Sequence, residues 1–453
     1  MRIPCSSSKR YLSGMDWIIG MFDRMLKKTT GAGNASHLIL ELDGPLDEQR
    51  FRDEIAAFAR AFPVLGGTVR RDVNLAPYWK IPLVLPDPPP VATCVASDPV
   101  PANGVPDTLA DRVNDPFPRP TDHVAFHIAR AHDSRTWLGM VFDHRLFDAR
   151  GAEGFLALFE TWRAQRDIGA IAKSLKLTAP AGLDHWTRKF KAGQTVNRAL
   201  LRVAPFARHR MTASPLRDKR ARFCFLAFSE DETRVIEDLA HKEAGFLMIS
   251  PFLLSCSLQA LHKTLARTGR ELPAYVAPVS IDMRKPGAWR TDLFFNHVSF
   301  LFFAAQADIM DNRPALAQNL AEQFYAQKKD GVPESYPEAA MLMRIMPLPL
   351  LARLAHLPFR GEFGALSFAH LGDSILTGPA FMDRPLLNVR HAPRIPVPPG
   401  LGFAFNKAGN RLNATISYYP HLLDPDDISD IEQSLRHIPA SGGRPDAPAT
   451  QRS

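Results

Sequence analysis

Apolar positions along the chain recur at two spacings, one of strands and one of helices, and the two alternate. HLILELDG (37–44) is a short run that ends in turn residues and predicts a strand. In DEQRFRDEIAAFARAFP (47–63), Phe51, Ile55, Phe58 and Phe62 return at helical spacing and Pro63 closes the segment, so a helix is expected. The Pro-rich stretch 81–120 reads mostly as loop, because Pro fixes φ and removes a backbone donor. HVAFHIARA (123–131) and RTWLGMVFDH (135–144) read as the two strands of a hairpin. GAEGFLALFETWRAQR (151–166) is a helix with Phe155, Leu158, Phe159 and Trp162 on one face.

The same order restarts further on. ARFCFLAFSE (221–230) predicts a strand, EDETRVIEDLAHKEAG (230–245) a helix and PFLLSCSLQALHKTLARTG (251–269) a more buried helix. AYVAPVSIDMR (274–284) and HVSFLFFAAQ (297–306) are β-rich, and RPALAQNLAEQFYAQKK (313–329) is helical. GALSFAHL (364–371), GLGFAFNKA (400–408) and RLNATISYY (411–419) read as strands. DPDDISDIEQSLRHI (424–438) opens with acids, which suit a helix N-terminus. The class is therefore α/β, with one lobe at 1–187, a basic linker at 188–222 and a second lobe at 223–440. The small, polar tail at 441–453 is expected to be disordered.

Composition narrows the class. Hydrophobic residues at 45% and charged residues at 23% are ordinary for a soluble enzyme of this length, 453 residues. Cys5, Cys94, Cys224 and Cys256 lack CxxC or CxxH spacing, which argues against a disulfide framework or zinc site and fits a reducing compartment. The N-terminus lacks the apolar core of a signal peptide, and no apolar run reaches the length of about 18 residues that a membrane span needs. A cytoplasmic location is expected. The net charge of +8 gathers at 188–222, which holds eleven Lys/Arg and one acid, Asp218. Such a stretch suits anionic lipid, a phosphate-bearing substrate or an acidic carrier protein, and equally a solvated linker. It lacks the interleaved aromatics and motifs of a nucleic-acid binder, so no nucleic acid is expected. MLMRIMPLPLLARLAHLPF (341–359) is apolar but broken by three Pro and two Arg. It reads as core packing or as an interfacial segment with peripheral membrane contact.

The chain's one His-x-x-x-Asp lies in GMVFDHRLFDARGAEGFL (139–156), where a strand ends at Asp143-His144 and a helical pattern opens past Asp148. Around it the sequence resembles the CoA-dependent acyltransferase superfamily, which includes chloramphenicol acetyltransferase, peptide-synthetase condensation domains and wax ester synthase/diacylglycerol acyltransferases. The family pattern His-His-x-x-x-Asp-Gly stands here as Asp143-His144-Arg-Leu-Phe-Asp148-Ala149. YLSGMDWIIGMF (11–22) is similar to the family's opening segment, and GPLDEQRFRDEIAAFARAFPVLGGTVRRD (44–72) to its first helix and strand. VSIDMRKPG (279–287), FFNHVSFLFF (294–303) and RLNATISYYPHLLD (411–424) resemble segments of its second lobe. The matches keep the family's order over most of the chain.

The resemblance implies two chloramphenicol-acetyltransferase-like lobes, each a mixed sheet with helices, and an active-site channel between them. It implies an acyltransferase that moves an acyl group from a thioester to a hydroxyl or amine acceptor, lipid-like as in the wax-ester relatives. His144 would be the general base, a role worth typically ~10²–10⁴-fold. Asp148 would turn away from His144 and pair with Arg284 of the other lobe, Asn296 would line the channel, and Ser367 or Ser374 are positional candidates for the oxyanion donor. The donor expected is acyl-CoA, with a free acyl carrier protein as the other thioester source, and no metal or other cofactor is called for. The alternatives are a condensation-type amide former and a non-catalytic relative that binds a partner or lipid. Two positions depart from the family. Asp143 replaces the first His, and a carboxylate there is expected to raise the basicity of His144. Ala149 replaces the Gly and puts a methyl group beside the substrate channel, with Gly151 easing the backbone. His185, His297 and His370 show no ligand spacing and are expected to be structural.

Overall fold

Strand and helix spacings resolve into two six-stranded sheets, one per lobe, with helices packed against them. The computed structural model of the chain describes residues 7–96, 100, 104–131, 134–177, 184–206, 218–356, 364–420 and 422–442. The tail from 443, residues 207–217 of the basic stretch and 357–359 of the apolar segment lie outside the described residues. The strands run β1 (Ser7–Tyr11), β2 (Ala35–Leu42), β3 (Thr68–Arg71), β4 (Pro77–Pro82), β5 (Val91–Val95), β6 (Val124–Arg130), β7 (Thr136–Asp143) and β8 (Arg222–Ala227). They continue β9 (Ala274–Asp282), β10 (Val298–Gln306), β11 (Ser367–Asp373), β12 (Ala380–Phe381), β13 (Arg384–Pro393), β14 (Leu401–Ala408) and β15 (Arg411–Tyr418). The helices are α1 (Gly14–Thr30), α2 (Glu48–Ala59), α3 (Asp107–Ala110), α4 (Ala149–Gln165), α5 (Ile168–Ser174) and α6 (Trp186–Val203). In the second half follow α7 (Glu230–Ala244), α8 (Ile249–Arg267), α9 (Arg313–Lys329), α10 (Val332–Ala340), α11 (Leu348–His356) and α12 (Pro425–Arg436).

The first sheet has the order β12-β13-β2-β7-β6-β5 and the second β10-β9-β11-β14-β15-β8, with a small third sheet β1-β4-β3. β6 and β7 form the expected hairpin, with Phe126 opposite Met140. One face of the first sheet buries against α2 and α4, whose aromatic stripes interlock: Phe58 meets Phe155 at 5.2 Å between ring centroids, and Phe51 meets Phe159 at 6.0 Å. Burying such side chains is worth roughly 1.5–3 kcal/mol each, so this face fixes where α4 begins. No single helix among the described residues is long and apolar enough to cross a membrane.

Two boundaries differ from the sequence reading. The chain at 380–393, expected in the second lobe, crosses over and adds β12 and β13 to the first sheet, β13 pairing antiparallel with β2. β13 alternates polar and apolar side chains that are buried alike: Arg390, 1% exposed, pairs with Glu41 at 2.7 Å. A buried strand carrying Asn, Arg and His looks like loop, which is why its pattern gave no signal. The first part of the basic linker is likewise a helix, α6, whose Ala192, Val196, Ala199 and Val203 are buried on one side. Among its described residues the Pro-rich stretch carries only short elements, β4, β5 and α3 with its following 3₁₀ turn.

Candidate active site

His144 follows the last residue of β7, and its backbone N–H donates to Asn34 O at 2.9 Å, which holds it at the sheet's edge. Its imidazole Nδ1 lies 3.0 Å from Asn296 Oδ1, while Asn296 Nδ2 donates to the His144 carbonyl at 2.9 Å. The second bond settles the first: the amide nitrogen must face a carbonyl, so the amide oxygen faces Nδ1 and Nδ1 carries the proton. Nε2 is then left with its lone pair, the form a general base requires. Asn296 is itself placed by Asp16, whose Oδ1 accepts the Asn296 N–H at 3.1 Å. The other Asp16 oxygen accepts from Ser13 N at 2.8 Å and Arg10 at 2.6 Å in the capping box that opens α1. Sequence reasoning named Asn296 as a channel wall, but its side chain is spent on His144. Asp16 was missed altogether, although the Ser-x-x-Asp cap was there to read.

Asp148 caps α4, accepting from Gly151 N at 2.8 Å. Both its oxygens also meet Arg284, at 2.9 Å each, and Oδ2 accepts the His297 N–H at 3.0 Å. Both side chains of the pair are 3% exposed. Burial alone would raise the Asp148 carboxyl, but the Arg284 charge and these bonds outweigh it and hold it below its ordinary value. The pair joins the strand-to-helix turn that presents His144 to the end of β9. Gly151 sits in the same turn, and a Cβ built there would lie 2.3 Å from the Leu293 carbonyl oxygen. It packs against that backbone instead of lining the channel. Gly151→Ala is therefore expected to cost about 1–3 kcal/mol, read as a lower urea midpoint at unchanged slope. An unmoved midpoint would show that the contact yields freely.

Asp143 does not support His144. It points to the opposite side of the strand end, where His123 Nδ1 lies 2.8 Å away and Arg145 Nε reaches both oxygens at 3.0 Å. Burial pushes the carboxyl up, and Arg145 and His123 pull it down further, so it stays ionised. Successive residues of a strand face opposite sides, so the expected boost to His144 does not arise.

His144 opens into a cavity of about 400 Å³ lined by both lobes. Ile18, Phe22, Phe300, Phe302, Tyr336 and Leu351 make an apolar wall. Ala149 lines the cavity, as does Ser367. Ser374 is buried apart from that lining, with its hydroxyl accepting from Leu376 N. His370, expected to be structural, lines the cavity, whereas His297 serves Asp148 through its backbone and His185 is exposed. Among the described residues no group of His, Cys, Asp or Glu is arranged to hold a metal.

No family model matches the chain, and no curated protein does. Solved structures do. The first condensation domain of the CDA synthetase superposes with a TM-score of 0.67 at 15% identity, covering 98% of both chains. Trichothecene 15-O-acetyltransferase from Fusarium sporotrichioides gives 0.66 at 13%, over 97% of this chain and 96% of its own. Wax ester synthase/diacylglycerol acyltransferase from Marinobacter aquaeolei VT8 gives 0.57 at 12%, over 96% of this chain and all of its own. The chain shares the fold of these solved structures over nearly its whole length.

In this fold several histidines are held in the neutral form by desolvation. Burial with the nearby Arg150 charge lowers His370 to about 4, burial with Arg112 lowers His127 to about 4, and burial with His127 takes His37 well below its usual value. The unfolded chain protonates these groups near about 6.5. Between that value and about 4 the unfolded state binds more protons, so stability rises with pH, is whole above the window and is lost on acidification through it. Melting temperatures are expected to fall steadily from pH 7 to pH 5. A flat profile over that range would contradict the burial of these rings.

Proposed function

We propose that the protein is an acyltransferase in which His144 Nε2 takes the proton from a hydroxyl or amine acceptor as it attacks an acyl thioester. The observation that carries this is the His144–Asn296 pairing, which leaves Nε2 unprotonated in an apolar cavity between two lobes. The acceptor oxygen or nitrogen bonds to the carbonyl carbon, the C–S bond breaks, and the imidazolium returns its proton to the departing thiolate. No cofactor enters these steps, and the thioester, acyl-CoA or an acyl carrier's, is a substrate. The apolar wall favours a lipid-like acceptor or acyl chain. The outer face of α6, where Trp186, Phe190 and Leu201 are exposed beside Lys191 and Arg198, supports a cytoplasmic protein held peripherally at an anionic membrane.

The test mixes purified protein with acyl-CoAs of graded length and a panel of alcohols and amines, and follows free thiol. Acceptor-dependent thiol release is expected. No release above a His144→Ala control across the panel would overturn the reading, and the class of acceptor consumed separates ester from amide formation.

A further inference from the structure

A second imidazole stands on the same cavity wall. His391 of β13 lies opposite Leu38 of β2, while His144 bonds to Asn34 just before that strand begins. Four strand residues along and two strands across, the two rings are on the order of 15 Å apart. Ser36 and Pro393, paired across β2 and β13, line the cavity between them. His391 is thus too far to touch a bond forming at His144, yet one extended substrate reaches both.

One nitrogen of His391 is spent. Nε2 lies 2.7 Å from Glu153 Oε1, and the other Glu153 oxygen accepts from Ile375 N at 2.6 Å. Glu153 is 1% exposed and His391 3%. Burial pushes the Glu153 carboxyl up, but its bond to His391 and the neighbouring charges bring it below its ordinary value. A carboxylate only accepts, so Nε2 carries a proton, and in the neutral ring Nδ1 keeps a lone pair. Nδ1 has no protein partner among the described residues, and the residue lines the cavity. Arg150, a cation on this wall, has both terminal nitrogens on the carbonyls of Leu371 and Asp373. At this end of the cavity Nδ1 therefore offers a hydrogen-bond acceptor, and the Arg150 cation is already engaged by backbone oxygens.

We propose that His391 is a specificity-determining residue: its Nδ1 accepts a hydrogen bond from a hydroxyl or amide N–H that the acceptor substrate carries far from its reacting group. This rests on the acyl-transfer reading for the other end of the substrate, so the test does not depend on turnover. Linear α,ω-diols of graded length and the matching mono-alcohols are titrated into His144→Ala protein by calorimetry. One diol length is expected to bind about fivefold tighter than its mono-alcohol, the size of one neutral hydrogen bond. The advantage is expected to vanish when His391→Phe is added, because the ring keeps much of the wall's volume but offers the substrate no nitrogen lone pair. A purely structural tie between β13 and α4 would be lost with that change, lowering stability, but would leave the diol-to-mono-alcohol ratio untouched.

In the unmutated chain, isotope-labelled histidine reads the same event, as one Nδ1 resonance that shifts with the diol and not with the mono-alcohol. No diol preference, or one that survives His391→Phe, overturns the proposal. Thiol release on mono-alcohols without a diol preference sinks the subsite alone. A His391-dependent diol preference without thiol release sinks acyl transfer alone.

Discussion

His144→Ala is expected to lower acyl transfer by about 10²–10⁴-fold while circular dichroism and the unfolding midpoint stay close to those of the parent. The ring is half-buried, and its removal empties part of a cavity that is already open, so the packing cost is small. A companion variant tests the tautomer argument. Asn296→Asp keeps an acceptor for Nδ1–H but places a carboxylate beside the ring, which favours the imidazolium. The acid limb of the kcat/KM profile is then expected to move to higher pH. An unshifted limb would mean that the base titrating in the profile is some other group. Full activity in His144→Ala would remove His144 from the mechanism.

Asp148→Ala is expected to destabilise the protein by about 3–5 kcal/mol, because it leaves the Arg284 guanidinium buried without its carboxylate. It also removes the cap of α4 and the acceptor for His297 N, so the turn that presents His144 loses three of its ties at once. Activity is expected to fall with stability although Asp148 never touches His144 in this structure's bonding. The double variant Asp148→Ala/Arg284→Met discriminates between a lost pair and a stranded charge. It should recover a large part of the single variant's loss, since removing both charges of a buried pair costs far less than removing one. Urea midpoints measure this. A double variant that is less stable than Asp148→Ala would show that the pair itself, and not the unpaired charge, carries the energy.

Much of the fold was legible because burial imposes a period. The stripe Phe51, Ile55, Phe58 on α2 and Phe155, Phe159, Trp162 on α4 announces helices that cover a sheet, and the β6–β7 hairpin follows from two apolar runs with a short gap. Periodicity failed where the buried face is polar. Asn388, Arg390 and His391 on β13 are all nearly inaccessible, and each is paired with a group far away in sequence. No spacing rule reports such a partner. The helix in the basic stretch was missed for the converse reason: its buried positions are small, Ala192 and Ala199 among them, and exposed charge dominates its composition.

The sequence by itself determined the local frame of the site. It set a strand ending at Asp143, a histidine just past it and an Asp placed to cap the next helix, because those depend on residues within a few positions of one another. Only the tertiary structure decided what each group does. Asp16, Asn296 and Arg284 lie 128, 152 and 140 residues from His144 in one direction or the other, and they help fix its tautomer and the turn that carries it. The same long-range packing turned Asp143 away from the site and brought His391 into the cavity wall. Hydrogen bonds are directional and short, so their partners are chosen by where the fold places atoms, which a linear pattern does not record.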